Sequence, residues 1–282
     1  MKKLMSFVLT VGACVVLLAS GAFAFSLDGY AGPISIKYEN WENIVNNTNR
    51  GTGLTLTSGN QSVYMGDNYG ILKVTSVQGL NGQIWSENDG GQITGIFYGF
   101  DVWKNVGALP ALQIDATGGR LDMYYSSSQT FSADPDNDNN PMNNLSIGVD
   151  GLPKFTNTTV GSSFFSALAV PGILFNQGDS TTTLSGTFSS TNPFTGDGKA
   201  YWSIIPGSGD FASTFDSDWL LSGLADLFSN SSFPRLGFPA EGWTTNSDDP
   251  VTAYAVPEPG TIVLLGAGLL GLAGLGYRNR KR

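Results

Sequence analysis

Histidine is absent from this 282-residue chain, and cysteine occurs once, as Cys14. The first absence excludes every Ser-His or Cys-His nucleophile system and every histidine metal site. The second excludes a disulfide, because Cys14 lies in an N-terminal apolar run and the body beyond it has no thiol. That body must be held by core burial alone. No G-x-S-x-G elbow is present either. Charge is scarce: Asp, Glu, Lys and Arg make up 13% of residues, against about 25% in ordinary soluble domains.

Positive charge is scarcest where the fold must be. Six of the 14 Lys and Arg, but only one of the 23 acids, lie in residues 1–24 and 257–282, which leaves 22 acids against 8 bases between them. A body with a net charge of −14 repels nucleic acid and anionic surfaces, whose contacts are made by Lys and Arg. Nucleic acid is excluded as a partner on this ground. In place of charge stand 37 Gly, 13 Pro and many Ser, Thr, Asn and aromatic residues. This composition suits strands and turns better than long helices.

The two ends differ from the middle. Lys2 and Lys3 form a positive start, residues 4–19 are almost wholly apolar, and Ala22-Phe23-Ala24 gives a small-x-small exit. This predicts a signal peptide over 1–24, translocated by the Sec machinery and cut by signal peptidase after Ala24. An uncleaved anchor, or a lipoprotein signal ending at Cys14, are the alternatives; apolar sequence continuing past Cys14 weighs against the latter. A thiol-free body also avoids mispairing in an oxidising space.

At the other end, Pro257-Glu258-Pro259 precedes an uncharged apolar run over 261–277, which is followed by Arg278, Arg280, Lys281 and Arg282. As a helix the run is about 25 Å long, enough for a transmembrane helix, and the basic tail places the C-terminus in the cytoplasm. The prolines keep that helix from extending backwards and leave 257–259 extended. Gly266, Gly268 and Gly271 satisfy the letter of a dinucleotide fingerprint, yet no strand precedes them and the chain ends eleven residues later. Ala267, Gly271 and Gly274 read instead as a close-packing face in a membrane.

Proline–acid–proline, apolar helix and basic tail in that order, over 256–282, resemble the tripartite tail of bacterial PEP-CTERM proteins. The same tail is also called an ice-binding protein C-terminal domain, a label for the tail and not for an ice-binding activity. The resemblance implies processing near 257–259 by exosortase, a multi-pass membrane enzyme. It further implies export: residence in the inner membrane during sorting, then at the cell surface or outside. Proteins with such tails are associated with exopolysaccharide, biofilm or matrix. A plain membrane anchor is the alternative reading of the same residues.

For the body, 25–255, β-rich runs at 34–38, 54–57, 71–77, 93–102, 121–125 and 200–205, separated by glycine turns, predict strands. Leucine spacing over 219–228, with Asp216 or Ser217 as cap, predicts a helix. The expectation is a mostly β body, a β-sandwich with one or two short helices.

Candidate sites are few. Asp134, Asp136 and Asp138 alternate as calcium-loop oxygens do, but Asn139 stands where that loop needs glycine and Leu145 where it needs glutamate. A solvated turn is the stronger reading, and no cofactor is expected. Glu87, Asp101, Asp115 and Asp122 fall near strands and would need to face each other across a cleft to cleave a glycoside. Trp85, Trp103, Trp202 and Trp243 would stack on sugars if exposed and fill a core if not. The leading expectation is an exported, non-enzymatic envelope or matrix protein; a carbohydrate-binding module and a secreted glycoside hydrolase are the alternatives.

Overall fold

The computed structural model describes residues 27, 30–45, 54–58, 61–65, 67–108, 111–127, 131, 145–147, 153–155, 162–172, 180–189, 194–236, 245–256 and 268–270. The strands are β1 (Gly32–Val45), β2 (Leu54–Ser58), β3 (Gln61–Met65), β4 (Asp67–Gly79), β5 (Gly82–Ser86), β6 (Gln92–Ala108) and β7 (Ala111–Ser126). They continue as β8 (Leu145–Ile147), β9 (Pro153–Phe155), β10 (Ser162–Ala169), β11 (Thr182–Ser189), β12 (Phe194–Ile204), β13 (Leu227–Leu236) and β14 (Thr245–Ala255). A short helix, α1, spans Ala212–Phe215, and Glu87–Asp89 form a single 3-10 turn.

Each predicted strand falls within one of these elements, save that 200–205 overruns β12 by one residue, but the sheets do not stack as a sandwich. The main sheet runs β1-β14-β13-β12-β10-β7-β6-β4, and β4 pairs back onto β1. The architecture is therefore an eight-position antiparallel barrel, which corrects the sandwich expectation. β10 and β11 share one position end to end. β10 bridges 120–125 of β7 to 202–204 of β12, and β11 bridges 111–117 of β7 to 195–200 of β12. Beyond Ile204 the chain continues along the free edge of β10, where Asp210 and Phe211 N–H groups donate to Ser163 and Phe164 carbonyls at 3.0 and 2.9 Å. β2–β3 and β8–β9 are separate two-stranded pairs.

Alternation decides what faces inward. On β1, Ile34, Ile36, Tyr38 and Asn40 are buried, whereas Lys37 between them is exposed. Ile36 lies level with Val251 on one side and Val77 on the other, both buried. A barrel of this size is filled by its own side chains. Phe100 of β6 and Trp202 of β12 meet edge-on inside it, with centroids 5.7 Å apart. At Gly119 (φ 108°) a Cβ would come within 2.4 Å of the Phe100 ring; together with Gly118 (φ 76°) it bends β7 around that ring.

The register also orders the two ends. Gly32 pairs with Ala255 and Ile34 with Gly79, so the start of β1 and the end of β14 lie at the same end of the barrel. That end is closed by aromatic packing: Phe215 of α1 touches Phe164 and Phe165 at centroid distances of 5.6 and 5.3 Å, and Phe211 stacks on Phe164 at 4.6 Å. Phe215 is fully buried. Truncating it opens a cavity where the barrel needs a floor, so Phe215→Ala is expected to cost about 3–5 kcal/mol. Urea unfolding of the detergent-solubilised chain measures this; an unchanged midpoint would show that α1 is not part of the core.

Candidate functional site

The end at which β1 starts and β14 stops is the most specialised part of the barrel. After α1 the chain makes a compact turn over 216–226 instead of the expected helix. Leu220 and Ala225 pair as a bridge, and Leu220 accepts the Leu224 N–H at 3.2 Å. The helix fails because Asp218, Leu221, Ser222 and Gly223 all take positive φ, 49°, 54°, 60° and 93°. For the three non-glycine residues this left-handed backbone costs on the order of 1 kcal/mol each.

Asp226 holds the turn in place. Its side chain is fully buried and accepts three backbone N–H bonds, from Ser217 and Asp218 on Oδ1 (both 2.7 Å) and from Ile204 on Oδ2 (2.8 Å). Asp216, Asp218 and Asp226 bring carboxylate oxygens within 4.8 Å of one another. Because backbone donors already engage both oxygens of Asp226, the group is a brace for the turn. Asp216, read from sequence as a helix start, is instead the residue that ends α1. Its carboxyl is raised above the ordinary value, by burial first and by Asp226 and Asp218 next. The turn leaves Trp219, Leu221 and Leu224 exposed, and Trp219 stacks on Tyr254 of β14 at 5.0 Å. The exit follows at once: the Val256 N–H donates to the Thr214 carbonyl at 2.9 Å, tying the last strand to α1.

The barrel interior changes character away from this end. Asn40, Ser247 and Asp249 are buried on the inward face of β1 and β14, where the Ser247 hydroxyl bonds both Asn40 and Asp249. Asp249 also accepts the Ser232 N–H at 2.7 Å. The Tyr38 phenol, 3.2 Å from Ser231 Oγ, is raised by burial first and by the Asp249 and Glu42 carboxylates next, while its bond with Ser231 acts the other way. Sequence reading missed this set, since Asn40 and Asp249 look like ordinary polar strand residues until the inward parity of β1 and β14 is known.

Of the carboxylates singled out from sequence, Asp115 and Asp122 are not brought together. Asp115 and Asp122 lie on the outward face of β7 seven residues apart, or roughly 23 Å at strand rise, far beyond the separations of a glycosidase pair. Asp122 is buried against the outside of the sheet, accepting Tyr98 Oη at 2.7 Å and Arg120 Nε at 2.9 Å. Burial and that carboxylate raise the Tyr98 phenol, and Tyr124 is pushed up to about 12 for the same two reasons. Asp115 accepts the Ser185 hydroxyl at 2.6 Å. Glu87 is 3.0 Å from Lys73 Nζ in an ion pair. Trp85 and Trp202 are buried in the core, the core-filling alternative of the two read from sequence.

Other predicted positions lie outside the described residues: Ala22, Ala24, Asp134, Asp136, Asp138, Pro257, Glu258, Pro259, Arg278, Arg280, Lys281 and Arg282, as do Trp243 and the side chains of Asp101 and Trp103. Of the predicted membrane helix over 261–277, only 268–270 are described, and they are helical. Among the described residues no helix is long and apolar enough to cross a membrane.

Two substitutions test the brace. Asp226→Asn turns an amide donor toward a backbone donor and is expected to cost about 2 kcal/mol, read by urea unfolding. Asp216 binds its proton more tightly in the folded chain than in the unfolded one. Its ionisation therefore costs stability, a penalty absent in acid and present once pH has risen through the raised folded value. Asp216→Asn is then expected to raise Tm at neutral pH and leave it unchanged in acid; a lower Tm at neutral pH would contradict the assignment.

No curated protein matches the chain. Residues 255–281 match the family description of the PEP-CTERM protein-sorting motif, beginning at the last residue of β14. The chain is a protein bearing a PEP-CTERM sorting motif, which implies an exported protein sorted through the membrane by exosortase.

Proposed function

We propose that the barrel is the cargo of an export and sorting route, and that it works as a non-enzymatic protein of the cell envelope or extracellular matrix, in contact with exopolysaccharide. Signal peptidase releases the N-terminus after Ala24. The apolar run holds the chain in the inner membrane with its basic end in the cytoplasm. Exosortase then cuts near Pro257, Glu258 and Pro259, and the barrel passes to the cell surface or beyond.

The observation that carries this reading is the junction itself. The sorting motif starts at Ala255, where strand pairing stops, and the prolines begin two residues later. A peptidase needs an extended substrate, and the prolines at 257 and 259 disfavour both helix and ladder. The recognition segment thus follows the folded body with almost no spacer. A carbohydrate-binding module is the second reading, with Trp85 and Trp202 spent on the core; a glycoside hydrolase is the third, with Asp115 and Asp122 set far apart.

Mass spectrometry of the cell-surface fraction tests the sorting step. The displayed protein is expected to yield no peptide containing 278–282, and a Pro257→Ala, Glu258→Ala, Pro259→Ala variant is expected to retain it in the membrane. A wild-type surface protein that keeps its basic tail would instead be a simple anchored protein.

A further inference from the structure

The turn over 216–226 displays apolar side chains that a folded body would ordinarily bury. Trp219 is 50% exposed and Leu224 60%. Leu221 is held outward on left-handed backbone (φ 54°), a conformation that a bulky residue adopts at a local cost. A fourth apolar side chain, Leu80, is 77% exposed in the turn between β4 and β5. Its N–H donates to the Tyr30 hydroxyl, and Gly79 beside it is level with Ile34 near the start of β1. Leu80 therefore belongs to the same end of the barrel as Trp219, which packs on Tyr254 only two residues before the exit at Val256. All four side chains lie at the end of the barrel where the chain leaves the fold.

What lies opposite that end follows from the length of the connection. Four residues separate Val256 from the start of the apolar run at Thr261, a reach of at most about 17 Å over the five Cα-to-Cα steps. Two of them are prolines, whose fixed φ narrows the conformations open to so short a connection. Once the run is inserted, the apolar end of the barrel is held within a few side-chain lengths of the bilayer. Trp and Leu are the residues that partition into the headgroup boundary, and a Trp stacked on Tyr at the exit is the pairing expected of an interfacial anchor.

We propose that Trp219, Leu221, Leu224 and Leu80 form a lipid-docking surface that seats the barrel on the membrane while the tail is inserted. This rests on the sorting reading above. The occupant is the outer face of the bilayer, met through the zwitterionic headgroup region. The net negative body, with Asp210 and Asp218 exposed at the same end, disfavours anionic lipid. Seating fixes the barrel's tilt and presents 257–259 at a constant height to a membrane-embedded peptidase. After cleavage the tether is lost and the surface, too small to hold a protein alone, lets go.

The test uses the full chain in vesicles of phosphatidylcholine and phosphatidylethanolamine with brominated acyl chains, which quench only tryptophan at the lipid boundary. The apolar run contains no tryptophan, so the signal comes from the body. Wild type is expected to be quenched, and Trp219→Phe to lose the larger part of that quenching while floating equally with the vesicles. A Leu221→Ser, Leu224→Ser variant keeps the reporter and is expected to show weaker quenching of it. Equal quenching of wild type and Trp219→Phe, with both afloat, would overturn the docking surface but leave the sorting reading intact. Trp219 shielded from aqueous acrylamide yet untouched by bromolipid would mean that a second copy or another protein covers it, and would also overturn the proposal. Failure of every variant to float would remove the inserted tail and the proposal together.

Discussion

β1 is hydrogen-bonded along both of its edges, to β14 on one side and to β4 on the other, and nearly every other feature of the molecule depends on this. A strand with one partner would leave an open sheet with two exposed edges; a strand with two closes the ring and removes them. Closure turns the alternation of Ile34, Ile36 and Tyr38 into an enclosed core. For a body without a disulfide that enclosure is the main source of stability. It also brings the first residues of β1 and the last of β14 to one end, so the chain enters and leaves the barrel side by side.

That shared end explains the chemistry gathered there. α1 and the edge-bound segment before it fill the barrel opening with phenylalanine, and Asp226 converts three backbone donors into a rigid turn. The turn holds leucines outward at the cost of left-handed backbone, while the opposite half of the interior is lined by Asn40, Ser247 and Asp249. The barrel is thus polarised along its axis. Its apolar end is the one where β14 stops, and its polar interior lies toward the other end.

Much of this was legible in local sequence, and the rest was not, for identifiable reasons. Strand positions such as 34–38 and 121–125 follow from alternation, which depends on near neighbours. The sorting motif follows from the order of three short segments, none of which needs a fold. Barrel closure depends on the pairing of β1 with β4, and alternation looks the same in a sandwich. The helix expected over 219–228 failed because leucine spacing is periodic in a tight turn too, and the decisive partner, buried Asp226, gives no sign of its burial in the sequence. Inward or outward parity decides whether a tryptophan fills a core or meets solvent. It set Trp85 and Trp202 inside, and it placed Asp115 and Asp122 outside and apart.

The account turns on closure of the ring at β1. Amide hydrogen exchange across 34–42, followed by nuclear magnetic resonance, tests it directly. In a closed barrel successive N–H groups point alternately to β14 and to β4, so both parities are expected to be protected to a similar degree. Fast exchange at every second amide would mean that one edge of β1 is free, and that the sheet is open.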